Sequence, residues 1–126
     1  MMRLLPGVAI LIALPCSVLA KSVPDEAGLY EIDQMEMAGG LELRPDGRFR
    51  YAFDYGAFSE ESEGRWTVED GTVVLTTDPM PPKAECDRGF ASACFSGTRL
   101  TPGEDGLILY RWDARIILRP IQPRPR

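Results

Sequence analysis

Hydrophobic and polar positions alternate most cleanly over Arg48–Tyr55, where Phe49, Tyr51, Phe53 and Tyr55 interleave with Arg48, Arg50, Ala52 and Asp54. A period of two puts the four aromatic rings on one side of an extended strand, so one face is buried and the other is wet. Shorter stretches repeat the pattern. Tyr30 and Ile32 share a face within 28–37, Leu41 and Leu43 within 41–44, Trp66 and Val68 within 64–69, and Val73 and Leu75 within Thr72–Thr77. Further on, Leu107, Leu109 and Arg111 oppose Ile108, Tyr110 and Trp112, and strands are also predicted over 97–100 and 115–119. Long apolar stripes at helical spacing are missing.

Turn residues separate these runs. Pro45 presets φ, Asp46 caps and Gly47 accepts a positive φ, and Asp70-Gly71 gives a second tight hairpin. Gly39-Gly40 is read as the break between the first two strands, and Gly56 to Ser59 as a loop. Residues 78–96 begin with three prolines within five positions, which removes the donors a regular sheet needs, so an irregular excursion is expected there. About eight short strands joined by tight turns predict an all-β fold, a small antiparallel meander closing into a barrel that hides its edges. A β-sandwich is the alternative.

The first 20 residues have a different character. Arg3, the apolar run from Val8 to Leu14 and the small residues before Lys21 match a removable signal peptide, and the run is too short to span a bilayer. Cys16 raises lipid attachment as a second possibility, although Pro15 occupies the place of the small residue that a lipobox needs. The expected organisation is therefore a leader over 1–20, one β domain over 21–119 and a Pro/Arg-rich tail over 120–126, with export to the periplasm or the exterior. All 19 acidic residues follow the leader; setting Arg3 aside from the 14 basic residues leaves 13, a net charge of −6. Such a body is a poor nucleic-acid binder. The tail reverses the sign, with Arg119, Arg124 and Arg126 among prolines, and reads either as a solvated extended terminus or as a docking segment for an acidic partner or for the chain's own acidic body. In an oxidising compartment Cys86 and Cys94 form an even pair and are expected to be a disulfide.

The order Gly28-Leu29-Tyr30, Asp46-Gly47-Arg48-Phe49, Gly64-Arg65-Trp66 and Asp70-Gly71-Thr72-Val73 resembles small lipocalin-like barrels of the bacterial envelope, including the N-terminal domain of the copper-stress lipoprotein NlpE. The resemblance covers roughly the first half of residues 21–126 and implies a lipocalin-like barrel with an envelope role and no catalysis. The chain departs from that pattern in having no fitting lipobox and no Cys-x-x-Cys pair, so anchoring and thiol chemistry are not implied.

Candidate chemistry is sparse. The chain has no histidine, which removes Ser-His and Cys-His nucleophile systems. Glu60, Glu61 and Glu63 lack calcium-loop spacing and read as a solvated strand edge. Met35 and Met37, with Met80 elsewhere, suggest either core filling or soft-metal binding. The row Phe49, Tyr51, Phe53 and Tyr55 either fills the core or lines a cavity for a small apolar ligand. The 78–96 loop, with Arg88 and Phe90 between its cysteines, is either a pinned connection or a surface for a protein partner. No catalytic residue, metal or cofactor is expected. The leading expectation is a non-enzymatic exported binding module, with a secreted or periplasmic inhibitor of a protease or lysozyme acting through the 78–96 loop as alternative. A hydrolase built on an unusual carboxylate site around Glu61 is the third.

Overall fold

The computed structural model describes residues 24–88 and 91–121, together with Gly7, Ala9 and Ile12. The rest of the predicted leader, including Cys16, together with residues 21–23, Gly89, Phe90 and residues 122–126, lies outside those described residues. The elements follow the order β1 (Gly28–Gln34), β2 (Met37–Leu43), β3 (Arg48–Tyr55), β4 (Phe58–Glu69), β5 (Thr72–Thr77), α1 (Lys83–Arg88), β6 (Ala91–Ser92), β7 (Ser96–Pro102), β8 (Leu107–Arg111) and β9 (Ala114–Pro120). All but β6 pair antiparallel with their neighbours. The sheet runs β3-β2-β1-β9-β8-β7-β5-β4, and β3 pairs with β4 across eight positions, which joins its two ends into a closed eight-stranded barrel. The expected meander-to-barrel architecture is the one observed.

The alternation read from the sequence fixes which residues face inward. Phe49, Tyr51, Phe53, Leu41, Leu43, Trp66, Leu75, Leu109, Ile116 and Leu118 are all buried. Rings meet across the interior: Tyr51 and Phe95 are edge-on at 5.0 Å between centroids, and Phe49 and Phe95 are tilted at 6.1 Å. Trp66 ties the core to a turn, since its indole N–H donates to the Arg44 carbonyl at 2.8 Å and its backbone N–H to Gly47 at 2.9 Å. The Asp46 carboxylate caps the same turn by accepting from the Arg48 N–H at 2.9 Å.

Three local expectations are corrected. Gly39-Gly40 lies inside β2 instead of breaking it, and the turn falls at Met35 and Glu36. Gly39 is there for close approach: a Cβ at that position would stand 2.2 Å from the Ala52 carbonyl oxygen of β3. Second, β4 starts at Phe58 and includes the stretch read as loop and acidic edge. Its inward positions there are Glu60, Ser62 and Gly64, too polar or too small to register as a hydrophobic alternation. Third, the 78–96 excursion contains α1, whose Lys83–Asp87 pair (2.6 Å) spans one helical turn, with Glu85 early and Arg88 late as the helix dipole favours.

The path of the excursion follows from the length of β4. On one edge β4 is paired with β3 over 58–65, but on the other β5 covers only 64–69. The excursion supplies the missing partner. The Asp78 N–H donates to the Glu63 carbonyl at 3.0 Å, β6 runs parallel beside Glu60 and Glu61, and the Ala93 N–H donates to the Glu61 carbonyl at 2.8 Å. Thr77 anchors the return. Its hydroxyl accepts from the Phe95 N–H at 2.8 Å and donates to the Ala93 carbonyl at 3.2 Å. Cys86 and Cys94 are bonded with Cα atoms 5.6 Å apart, as the sequence predicts. Replacing both cysteines by serine is expected to lower unfolding stability by about 2–3 kcal/mol, the entropy of closing so short a loop. Urea denaturation measures this, and hydrogen exchange should rise first at the Ala93 amide, which donates to the Glu61 carbonyl.

Candidate functional site

Three hairpin tips meet at one end of the barrel. The β1–β2 turn carries Met35, β3 ends in Tyr55 before the β3–β4 turn, and the β8–β9 turn carries Trp112. They are close neighbours. Met37 is paired with Tyr55, and the Gly56 N–H donates to the Glu36 carbonyl at 3.2 Å. Trp112 reaches back over the barrel mouth, with its ring 5.4 Å from Phe58 edge-on and 6.0 Å from Phe53. Large apolar surface stays in solvent here: Met35 is 89% exposed, Trp112 60% and Tyr55 43%, and Tyr110 on the adjoining strand is 64% exposed.

The backbone at two of these tips is unfavourable. Trp112 has φ of 53° and Glu36 φ of 62°, left-handed values at which a glycine or asparagine is the easier residue. A bulky side chain held at positive φ costs about 1–3 kcal/mol and persists only where its surroundings hold it there. For Trp112 those surroundings are Phe53, Phe58 and the Arg111 guanidinium, whose Cζ is 4.7 Å from the indole centroid.

Beneath Trp112 lies a buried polar centre. The Glu60 side chain is fully enclosed; its Oε1 accepts from the Tyr51 hydroxyl at 2.9 Å and its Oε2 pairs with Arg111 Nη2. Arg111 also spreads over Phe95 at 5.4 Å, and its Nε is buried with no hydrogen-bond partner among the described residues. Burial first, and the Glu60 carboxylate second, push the Tyr51 phenol far above its ordinary value of 10.0, while Arg111 pulls the other way. Tyr51 is therefore a permanent donor to Glu60. Both carboxylate oxygens are occupied and shielded, so this is a brace between β3, β4 and β8 and not a group presented to a substrate.

The predicted site residues are thus dispersed. Phe49, Tyr51 and Phe53 are core residues exposed by 3% or less, whereas Tyr55 sits on the rim outside. Glu60 is corrected from solvated edge to buried ion, because it faces inward while Glu61 faces out. Met35 and Met37 do not share a face as core filling: Met35 is at the exposed tip and Met37 is half-buried. Arg88 ends α1 in solvent, and among the described residues no three acidic or thiol side chains are grouped as metal ligands. The Trp112 rim was missed by the sequence reading; a large aromatic in a two-residue turn was the available signal. A second surface, a groove of about 770 Å³, runs along the outer wall of β1 to β4 beside the excursion.

Compared with known protein families, with characterised proteins and with solved structures, the chain matches none. No helix among the described residues is long and apolar enough to cross a membrane.

Arg111→Met is expected to lower stability by about 3 kcal/mol, since it strands the buried Glu60 charge. Tyr51→Phe, Glu60→Leu and Arg111→Met combined should return to within about 1–2 kcal/mol of the parent, because removing the whole brace leaves no unpaired ion. Chemical denaturation of the single and combined variants checks both figures. A raised phenol value means that the Tyr51 contribution is complete below pH 10 and is lost as pH climbs past the unfolded value toward the folded one. Stability should therefore fall above about pH 10, by as much as about 1.4 kcal/mol per pH unit. Tyr51→Phe should flatten that slope in urea titrations at pH 9 to 11, leaving the smaller part owed to Tyr30, whose phenol is also raised by burial and by Glu26.

Proposed function

We propose that this chain is an exported, non-enzymatic binding module that engages a protein partner through the hairpin rim centred on Trp112. One observation carries the reading: a large aromatic side chain is held in solvent, at a backbone conformation it disfavours, by three side chains that fix its direction. Strain of this kind tends to gather where a surface must be presented in one shape. Tryptophan, tyrosine and methionine are also the residues enriched in the anchoring centres of protein interfaces. Trp112, Tyr55 and Met35 at the hairpin tips and Tyr110 on the adjoining strand supply four of these, all exposed.

Further support comes from the interior. Phe49, Tyr51, Phe53 and Phe95 fill with their rings the space that a larger barrel would offer to a ligand, which favours surface recognition over a small apolar ligand held inside. The leader pattern and the disulfide support export to the periplasm or the exterior. The hydrolase-inhibitor reading draws on the clipped, partly helical excursion, which projects Arg88 from another side.

Site-specific photo-crosslinking in the producing cell separates the two. A crosslinker at Tyr55 should give a discrete protein adduct that disappears in a Trp112→Ala background, while one at Asp87 in the excursion should give none. Adducts confined to Asp87, together with inhibition of a lysozyme or protease panel, would transfer the function to the excursion. Absence of adducts from both faces would remove the protein-partner reading.

A further inference from the structure

The groove on the outer wall of β1 to β4 lies on another side of the barrel from the rim, and its floor is set by residue size. Across the four strands one outward row reads Glu31, Gly40, Ala52, Glu61, with each residue directly opposite the next. The two middle positions carry no side chain beyond a methyl, so the sheet backbone is uncovered between two carboxylates. Neither carboxylate is in an ion pair among the described residues. The next outward row reads Leu29, Glu42, Arg50, Glu63. Four acids therefore face this groove against one arginine.

Each end of the bare row meets apolar surface. Pro79 and Pro81 line the β4 side, placed there by the Asp78 N–H, which donates to the Glu63 carbonyl at 3.0 Å. Leu29 and Ile121 line the β1 side, both about half exposed, and the Ile121 N–H donates to the Leu29 carbonyl at 2.8 Å. The space between is about 770 Å³, within the size range of ligand sites. Charge is also divided around the barrel. On the opposite wall β7, β8 and β9 contain Arg99, Arg111, Arg115 and Arg119 and no acid. A cationic partner is therefore steered to the side that holds the groove.

We propose that this groove receives an extended segment of a second protein with the pattern basic-x-apolar-x-basic, laid across β1 to β4. The lengths agree. Glu31 and Glu61 stand three strand spacings apart, about 14 Å. In an extended peptide, residues i and i+4 are about 13 Å apart and point to the same side as residue i+2. With basic side chains at i and i+4 over the two carboxylates, residue i+2 falls between Gly40 and Ala52, where the floor leaves room for a side chain of leucine size. The methylene stems of the basic residues lie against Leu29 and Ile121 at one end and against Pro79 and Pro81 at the other. A linear polyamine would match the charges but has nothing to fill the bare floor. This inference goes beyond the rim proposal and stands or falls separately, because the two use different faces and different residues.

Amide NMR of the full chain, titrated with the end-capped peptide Arg-Ser-Leu-Ser-Arg, tests it. The Gly40, Ala52 and Glu61 signals should shift on binding, while those of Met35 and Trp112 at the rim stay in place. Ala52→Leu fills the floor from the outer face and should weaken binding about ten-fold. Glu31→Gln combined with Glu61→Gln removes both end charges and should also weaken it about ten-fold. The isomeric peptide Arg-Leu-Ser-Ser-Arg keeps the charges but turns its leucine away from the sheet, and should bind about ten-fold more weakly than the first. No shift at Gly40 and Ala52 with the first peptide at millimolar concentration would overturn the proposal. Equal binding of the two peptides, or binding unaffected by either variant, would also overturn it, because attraction of any cation to an acidic wall would then account for the result. Spermine binding as tightly as the first peptide would count against it in the same way.

Discussion

The structure depends on how β4 satisfies its backbone. Twelve residues long, it closes the barrel by pairing with β3, but the next strand in the meander meets only its second half. An open stretch of N–H and C=O groups along a barrel wall is a template for unwanted pairing. The chain answers by sending residues 78–95 back along that edge, where backbone bonds at Glu61 and Glu63, the Thr77 hydroxyl and the Cys86–Cys94 bond hold them. What looks like an irregular insertion is therefore part of the wall, and it also forms one side of the outer groove.

The same stretch of β4 brings an ion into the core. Once Phe58 starts the strand, alternation turns Glu60 inward, and a carboxylate there requires partners on facing strands. Tyr51 and Arg111 supply them, and Arg111 in turn holds Trp112 by its guanidinium. A buried pair of this kind seldom adds net stability over apolar packing, but breaking it is expensive, so it acts as a specificity device that sets which strands face each other. It also links the interior to the rim, since the residue that neutralises Glu60 adjoins the one that projects into solvent.

Most of the fold was legible in the sequence. Period-two runs in β3, β5 and β8 located their strands and inward faces, turn chemistry at Asp46-Gly47 and Asp70-Gly71 located two hairpins, and cysteine parity located the disulfide. These features are local: a side-chain period or a turn conformation involves only a few consecutive residues. The readings that failed concerned residues whose meaning is set across the sheet. Gly39 looks like a breaker until Ala52 is placed against it, and Glu60 looks solvated until β4 is seen to extend through it.

The sequence by itself determined an all-β chain of alternating strands, its acidic body, its basic final segment and its paired cysteines, because pattern, charge and parity are properties of the linear order. Only the tertiary structure decided that Tyr55 is exposed at the barrel rim while Phe53 on the same face is buried, that three hairpin tips share one end, and that a row of small residues opens a groove between acids. Those facts depend on which strands become neighbours and in what register, and register arises from closure of the barrel as a whole, not from any one segment.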